Sequence, residues 1–182
     1  LKVYKLPLGS PTSLGKAMIN LLPLDEGEAI TTLMPLPEDE ETWGNLSVMF
    51  ATASGNARRN SLSDFTNVKA NGKIAMKLDE GDRLISAQAC SETDDILLSS
   101  SGGKCIRFPV TAIRVFSSRS STGVRGMRLD GDDRIISMSV LSHVKAEVYE
   151  REDYLQASSA SKRLINGDYS DRPNDKVEDE TR

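Results

Sequence analysis

One histidine, two cysteines and 5% aromatic residues leave little material for ordinary active-site chemistry in these 182 residues. His143 is the only imidazole, so any Ser-His or Cys-His mechanism would depend on it alone. It reads as a boundary residue at a strand end. Cys90 and Cys105 have no metal-ligand spacing, and one histidine cannot complete a usual zinc set. They read as reduced thiols, not a disulfide framework. No apolar run is long enough to span a bilayer. Initiator Met and secretory leader are both lacking at Leu1, which suggests a segment of a longer intracellular chain. Large charge of one sign is lacking too: the net charge is −4. Residues 1–143 carry 16 Lys+Arg and 17 Asp+Glu, and residues 144–182 carry 7 and 10, so the body is near neutral and the tail acidic. Bulk charge therefore does not predict nucleic-acid binding; the placement of the basic residues must decide.

What the chain does have is repetition. Leu78-Asp79-Glu80-Gly81-Asp82-Arg83-Leu84-Ile85-Ser86 returns 51 residues later as Leu129-Asp130-Gly131-Asp132-Asp133-Arg134-Ile135-Ile136-Ser137. A weaker copy, Leu24 to Thr31, lies 54 residues upstream. Val48 to Arg59 matches Ile96 to Arg107 at a shift of 48, and Val3-Tyr4-Lys5-Leu6-Pro7 matches Cys105-Ile106-Arg107-Phe108-Pro109 at 102. Residues 1–143 thus hold nearly three units of about fifty residues, a length that suggests propeller blades or solenoid modules.

Within a unit the local period is two. Leu46, Val48, Phe50 and Thr52 alternate with Ser47, Met49 and Ala51; Ile74, Met76 and Leu78 alternate with Lys73, Ala75 and Lys77; Ile136, Met138 and Val140 alternate with Ser137 and Ser139. Such runs mark half-buried strands. Ser54-Gly55-Asn56, Glu80-Gly81-Asp82 and Ser101-Gly102-Gly103 suit tight turns, and twelve of thirteen glycines precede residue 144. The expected fold is all-β, with about four short strands per unit and blades at about 1–35, 46–90 and 94–143. Pro35 to Glu41 reads as an acidic loop.

After Val144 the alternation stops. Helix formers and the Glu147→Arg151 pair predict a helix over about 147–165, ended by Asn166-Gly167-Asp168. Tyr169 to Arg182 reads as disordered. This acidic tail is either a solvated linker or insertion, or a modulator that competes with DNA for a basic surface.

Asp130, Asp132 and Asp133 resemble a carboxylate cluster, but Asp79, Glu80 and Asp82 occupy the same places one unit earlier, so they read as repeated turn chemistry. Gly102-Gly103-Lys104 lacks the rest of a phosphate loop. The basic residues are more informative. Arg58-Arg59 and Arg107 follow equivalent turns, Lys73 and Lys77 lie on one strand, and Arg125 and Arg128 lie on its counterpart, preceded by Arg119 among Ser117, Ser118, Ser120, Ser121 and Thr122. Recurring cations on a repeated module would form a rim able to follow a phosphate backbone.

At these residues the chain resembles the C-terminal domain of the bacterial DNA gyrase A subunit. The resemblance rests on Ser54 to Phe65, Gly103 to Val110, Arg119 to Leu129, Val3 to Pro7 and Asn20 to Leu24, and covers about 1–143. It implies a β-pinwheel, a propeller-like disc whose four-stranded blades exchange strands with their neighbours, here a fragment of about three blades with the helical and disordered acidic tail, 144–182, as linker or insertion. It further implies that duplex DNA wraps around a basic perimeter without sequence readout, in support of ATP-dependent negative supercoiling. Carried over by position, Arg58, Arg59, Lys73, Lys77, Arg107, Arg119, Arg125 and Arg128 would contact phosphate, with Lys16 a further member. Partners would be double-stranded DNA, the rest of gyrase A and the gyrase B subunit in an A2B2 holoenzyme, in the cytoplasm and at the nucleoid. ATP and Mg would bind elsewhere, and this segment would hold no cofactor. Tyr149, Tyr154 and Tyr169 are tail residues, not the cleavage tyrosine. The alternatives are the paralogous topoisomerase IV domain and a protein-interaction propeller with no nucleic-acid role.

Overall fold

The computed structural model describes residues 1–69, 72–118 and 120–165, and the chain divides into two units, Leu1–His143 and Val144–Arg182. In the first unit, β1 (Ser47–Thr52) and β2 (Asn56–Ser61) form a hairpin around Gly55. Gly55 has φ +91°, and a Cβ there would lie 2.5 Å from the Met127 carbonyl oxygen, so glycine is required twice over. β3 (Leu84–Cys90) pairs with the other side of β1. The module is then repeated: β4 (Asp94–Ser100) and β5 (Cys105–Pro109) form a hairpin, and β7 (Ile135–Ser142) pairs with β4. Between them β6 (Val124–Arg125) leaves its own unit and pairs with β2, at Asn56↔Arg125 and Ala57↔Val124. The sheets are therefore β3-β1-β2-β6 and β5-β4-β7.

The copies match down to an irregularity. Ala51 pairs Ser86 but Thr52 pairs Leu84, leaving Ile85 as a bulge; Ser99 pairs Ser137 but Ser100 pairs Ile135, leaving Ile136 as a bulge 51 residues on. The second bulge corrects one position of the expected core face of β7: Met138 and Val140 lie on the core as expected, but Ile135 takes the place expected of Ile136. Ile136 is 58% exposed, while Ile135 and Met138 are buried. A further correction concerns β1, whose six residues are all buried, not half-buried. Met49 and Ala51 join a core with Ile96, Leu98, Ile135 and Met138 of the second sheet, whereas Val48 and Phe50 pack with Trp43, Leu62 and Ala87. Both faces are covered, so alternation no longer separates core from solvent.

Trp43 belongs to a 3-10 helix, Glu40–Asn45, that begins where the acidic loop ends. The Asp39 carboxylate caps it by accepting from Glu41 N at 2.9 Å, and the Trp43 indole donates to the Pro37 carbonyl at 3.0 Å.

Residues 1–46 form no strand among those described, only 3-10 turns at Val3–Lys5, Met18–Asn20 and Glu40–Asn45. The short strands expected over about 1–35 are not formed. Leu8 and Leu14 are fully exposed. The strand expected over 73–78 is also absent; among the described residues its backbone makes one hydrogen bond, Lys77 N to the Ser121 carbonyl, at 3.3 Å. A common cause fits both. Lys73-Ile74 stands 51 residues before β6 and is the counterpart of an exchanged strand, but residues 1–46 contain no hairpin for it to join. Extended backbone without a partner gains no ladder.

The helix expected over about 147–165 is α1, Val148–Ile165. The Glu150 carboxylate accepts from Glu147 N at 2.8 Å, covering one donor of the first turn. The large apolar side chains Val148 and Leu155 of α1 are exposed. The expected helix stop at Asn166-Gly167-Asp168 and the tail from Tyr169 lie outside the described residues.

Candidate nucleic-acid interface

The repeated Asp-containing motif is a clasp on the neighbouring hairpin. Asp82 accepts from Ser54 N at 3.0 Å, Ser54 Oγ at 2.5 Å and Arg83 N at 2.8 Å. Asp133 accepts from Gly102 N at 2.7 Å, Ser100 Oγ at 2.7 Å, Ser101 Oγ at 2.8 Å and Arg134 N at 2.9 Å. The Ser100 hydroxyl, then the Gly102 N–H and the other donors, hold the Asp133 carboxyl down at about 2. Burial pushes Asp82 up, but the Ser54 and Thr52 hydroxyls and two backbone N–H groups outweigh it and leave it below its ordinary value. Asp130 instead pairs with Lys104 at 2.7 Å. Asp82 and Asp133 are turn fasteners, as the repetition suggested. In residues 1–46, Glu28 stands in the clasp position and, with no hairpin to hold, accepts from Asp25 N at 3.0 Å.

The clasp leaves an exposed arginine in each copy, Arg83 and Arg134. Sequence reasoning passed over both, although they recur within the very motif that revealed the repeat. Lys77 and Arg128 are likewise 51 residues apart and exposed. Arg125 is exposed on β6, where its backbone pairs with Asn56. Lys16 is exposed in the strandless segment. Arg119 lies outside the described residues.

The remaining expected contacts are engaged internally. Arg58 is fully buried and Arg59 is 4% exposed, which corrects their placement on an outer rim. The Arg58 guanidinium donates to Asn60 Oδ1 at 2.9 Å, to the Ser121 carbonyl at 2.7 Å and to the Ser118 carbonyl. Burial, and then the nearby Arg114, lower its pKa against a smaller opposing pull from Asp64. Arg59 donates to Ser47 Oγ at 2.9 Å and pairs with Glu92 at 2.6 Å. Lys73 is half-buried; its ammonium donates to the Asp64 carbonyl and lies 5.8 Å from the Phe65 ring centroid.

Arg107, the counterpart of Arg59, has a side chain 49% exposed, with Nε 3.5 Å from Asp95 Oδ2. His143 also faces this carboxylate, its Nδ1 2.9 Å from Asp95 Oδ1. The carboxylate that meets the arginine therefore comes from β4 in this copy, where the first copy uses Glu92 after β3. The lone histidine is a partner of buried Asp95 and faces no nucleophile. The Cys90 thiol, buried, is pushed up by desolvation to about 11, so it is not a poised nucleophile either.

The family model described as DNA gyrase C-terminal domain, beta-propeller, matches residues 1–37, 47–91 and 94–142. The chain belongs to the DNA gyrase C-terminal domain family. It is 54% identical over 158 residues to the DNA gyrase A subunit of Rickettsia bellii (strain RML369-C), covering 87% of this chain and 18% of that protein. It is 53% identical over 169 residues to the DNA gyrase A subunit of Granulibacter bethesdensis, covering 92% and 18%. Against the DNA gyrase A subunit of Escherichia coli (strain K12) the identity is 38% over 140 residues, covering 77% and 16%. The chain therefore spans less than a fifth of the length of these relatives. Among solved structures, the C-terminal domain of DNA topoisomerase IV aligns with TM-score 0.67 at 22% identity, covering 78% of this chain and 43% of that one. The DNA gyrase A C-terminal domain aligns with TM-score 0.59 at 25%, covering 68% and 39%. The fold is a partial β-pinwheel of the gyrase type. Strand β6, which leaves its own module to fill the sheet of the preceding one, is the exchange expected of such blades. No helix among the described residues is long and apolar enough to cross a membrane.

Proposed function

We propose that this chain is a DNA-wrapping part of the A subunit of a gyrase. It would bind duplex DNA through its backbone without sequence readout and support negative supercoiling by the whole enzyme. The observation that carries the reading is the recurrence of cations at 51 residues, Lys77 with Arg128 and Arg83 with Arg134, on a gyrase-family scaffold. Cations at equivalent points of a repeated blade recur along the domain, and each phosphate they neutralise releases counterions. Lys77, Arg83, Arg125, Arg128 and Arg134 are the direct contacts. Arg107 is a further one, tempered by Asp95; Arg119 and Lys16 are carried by the sequence alone. Arg58 and Arg59 are internal ties, and Lys73 is held by Asp64. The partners are double-stranded DNA, the rest of gyrase A and the gyrase B subunit, with ATP and Mg used elsewhere in the assembly.

The test is titration of a labelled duplex of about 40 bp at several salt concentrations. Binding should weaken steeply with salt, and Arg128→Ala should make the log–log slope shallower by about one. A folded chain that binds no duplex at about 50 mM salt would remove this reading's mechanism.

A further inference from the structure

Phe116 carries two cations. The Arg114 guanidinium carbon lies 3.9 Å from the ring centroid and that of Arg58 lies 4.9 Å away. Neither guanidinium makes an ion pair among the described residues. The Phe116 backbone is fixed against β2: its N–H donates to the Arg59 carbonyl at 2.8 Å, and its carbonyl accepts from Asn60 Nδ2 at 3.0 Å. Arg58, fully buried, reaches only neutral oxygens, so its charge is solvated but not cancelled. Two like charges sharing one ring repel each other, and an anion beside them would relieve that repulsion.

The module itself does not ask for this. The places equivalent to Arg58 hold Ile106 in one copy and Tyr4 in the other. What is special near Arg58 is the serine-rich segment. By drawing the Ser118 and Ser121 carbonyls inward, Arg58 directs those acceptors away from any anion. Ser117, Ser118 and Ser120 remain exposed, and Arg114 is exposed beside them. The segment continues directly into β6 and exposed Arg125. An outer face with hydroxyl donors, an exposed guanidinium and a buried positive charge, and with its carbonyls withdrawn, suits a phosphate diester.

We propose that Arg114, Phe116 and the Ser117 and Ser118 hydroxyls form a contact site for a DNA backbone phosphate. Arg114 touches the phosphate and buried Arg58 is the positioning residue, shaping the serine segment and adding uncancelled charge beneath it. The proposal rests on the DNA-wrapping reading and adds to it a site that repeat position alone does not mark.

The experiment is duplex titration of the full chain over a salt series, with melting followed in parallel. Arg114→Ala should lower affinity roughly tenfold at low salt and make the salt slope shallower by about one, while Arg114→Lys keeps the slope. Arg58→Gln keeps donors but loses charge, and should weaken binding several-fold. Arg58→Lys keeps the charge and should recover most of it. If Arg58→Gln and Arg58→Lys weaken binding equally, in step with lost thermal stability, Arg58 is structural only and its part in the proposal is overturned. Where Arg58→Gln does not fold, the Arg114 pair still decides the site. Arg114→Ala binding like the parent while Arg128→Ala binds more weakly overturns this site and leaves the wrapping reading standing. Absence of binding by the folded parent removes both.

Discussion

The two sheets are copies of one module, yet the first has four strands and the second three. Their hairpins, clasps and bulges superpose in sequence at 48 and 51 residues, so local chemistry does not account for the difference. It lies at the outer edge. β2 is covered by β6, whereas among the described residues β5 pairs only with β4. A module here makes three strands and receives its fourth from the unit that follows. The stretch 73–78 teaches the same lesson from the donor's side: with no hairpin to receive it, it stays nearly unbonded. Stability in this chain is therefore shared between neighbours, as nearest-neighbour coupling in repeat proteins requires.

The strongest challenge to that picture is the shared core. Leu98 is fully buried in β4 yet clusters with Met49, Ala51 and Ala57 of the other sheet. Leu98→Ala should cost about 2–5 kcal/mol and lower the melting of both sheets together. Two separated transitions in calorimetry, only one of them shifted, would break the claim of shared stability.

A smaller effect should turn the first sheet into a likeness of the second. Gly123 precedes β6 with φ +95°, and a Cβ there would sit 2.4 Å from the Ala57 carbonyl oxygen. Gly123→Ala should cost about 1–3 kcal/mol through backbone strain and loss of the close approach. Amide exchange should quicken at the Ala57 edge of β2 and stay unchanged along β4. Uniform acceleration over both sheets would mean that β6 is not a separable fourth strand.

The hairpins β1–β2 and β4–β5 were legible because apolar runs flank a glycine turn, and the repeat made each reading support the other. The run over 73–78 shows the limit of that signal. Its period is right, but a strand exists only with a partner, and partners are set by topology. Ile136 illustrates a second limit: a bulge takes it out of the alternation and puts Ile135 in the core instead, while Met138 and Val140 keep the expected face. The site was legible in part. Lys77, Arg125 and Arg128 are exposed as expected, while Arg58 and Arg59 are not. Nothing in the sequence of β2 separates a buried arginine from an exposed one. Burial there depends on the 114–118 segment crossing beside it, a contact with no sequence pattern. Arg83 and Arg134 could have been found from the repeat, because their identity between copies at a turn end was already visible.

The smallest effect distinguishes the two clasps. Asp133 titrates at about 2 in the folded chain, below its ordinary value of 3.8, because hydroxyl and N–H donors favour the carboxylate. Asp82 is lowered as well, but there burial is the largest single influence and opposes its donors, whereas at Asp133 it ranks below the Ser100 and Gly102 donors. A lowered folded-state pKa means that each clasp stabilises fully above about pH 4 and releases as pH falls through the folded value. Between about pH 4 and 2 the melting temperature should drop, and Asp133→Asn should flatten that drop more than Asp82→Asn does. NMR titration of the two carboxyls gives the direct check. If Asp82 protonates at lower pH than Asp133, burial is not what separates them, and the two clasps differ for a reason outside their hydrogen-bond partners.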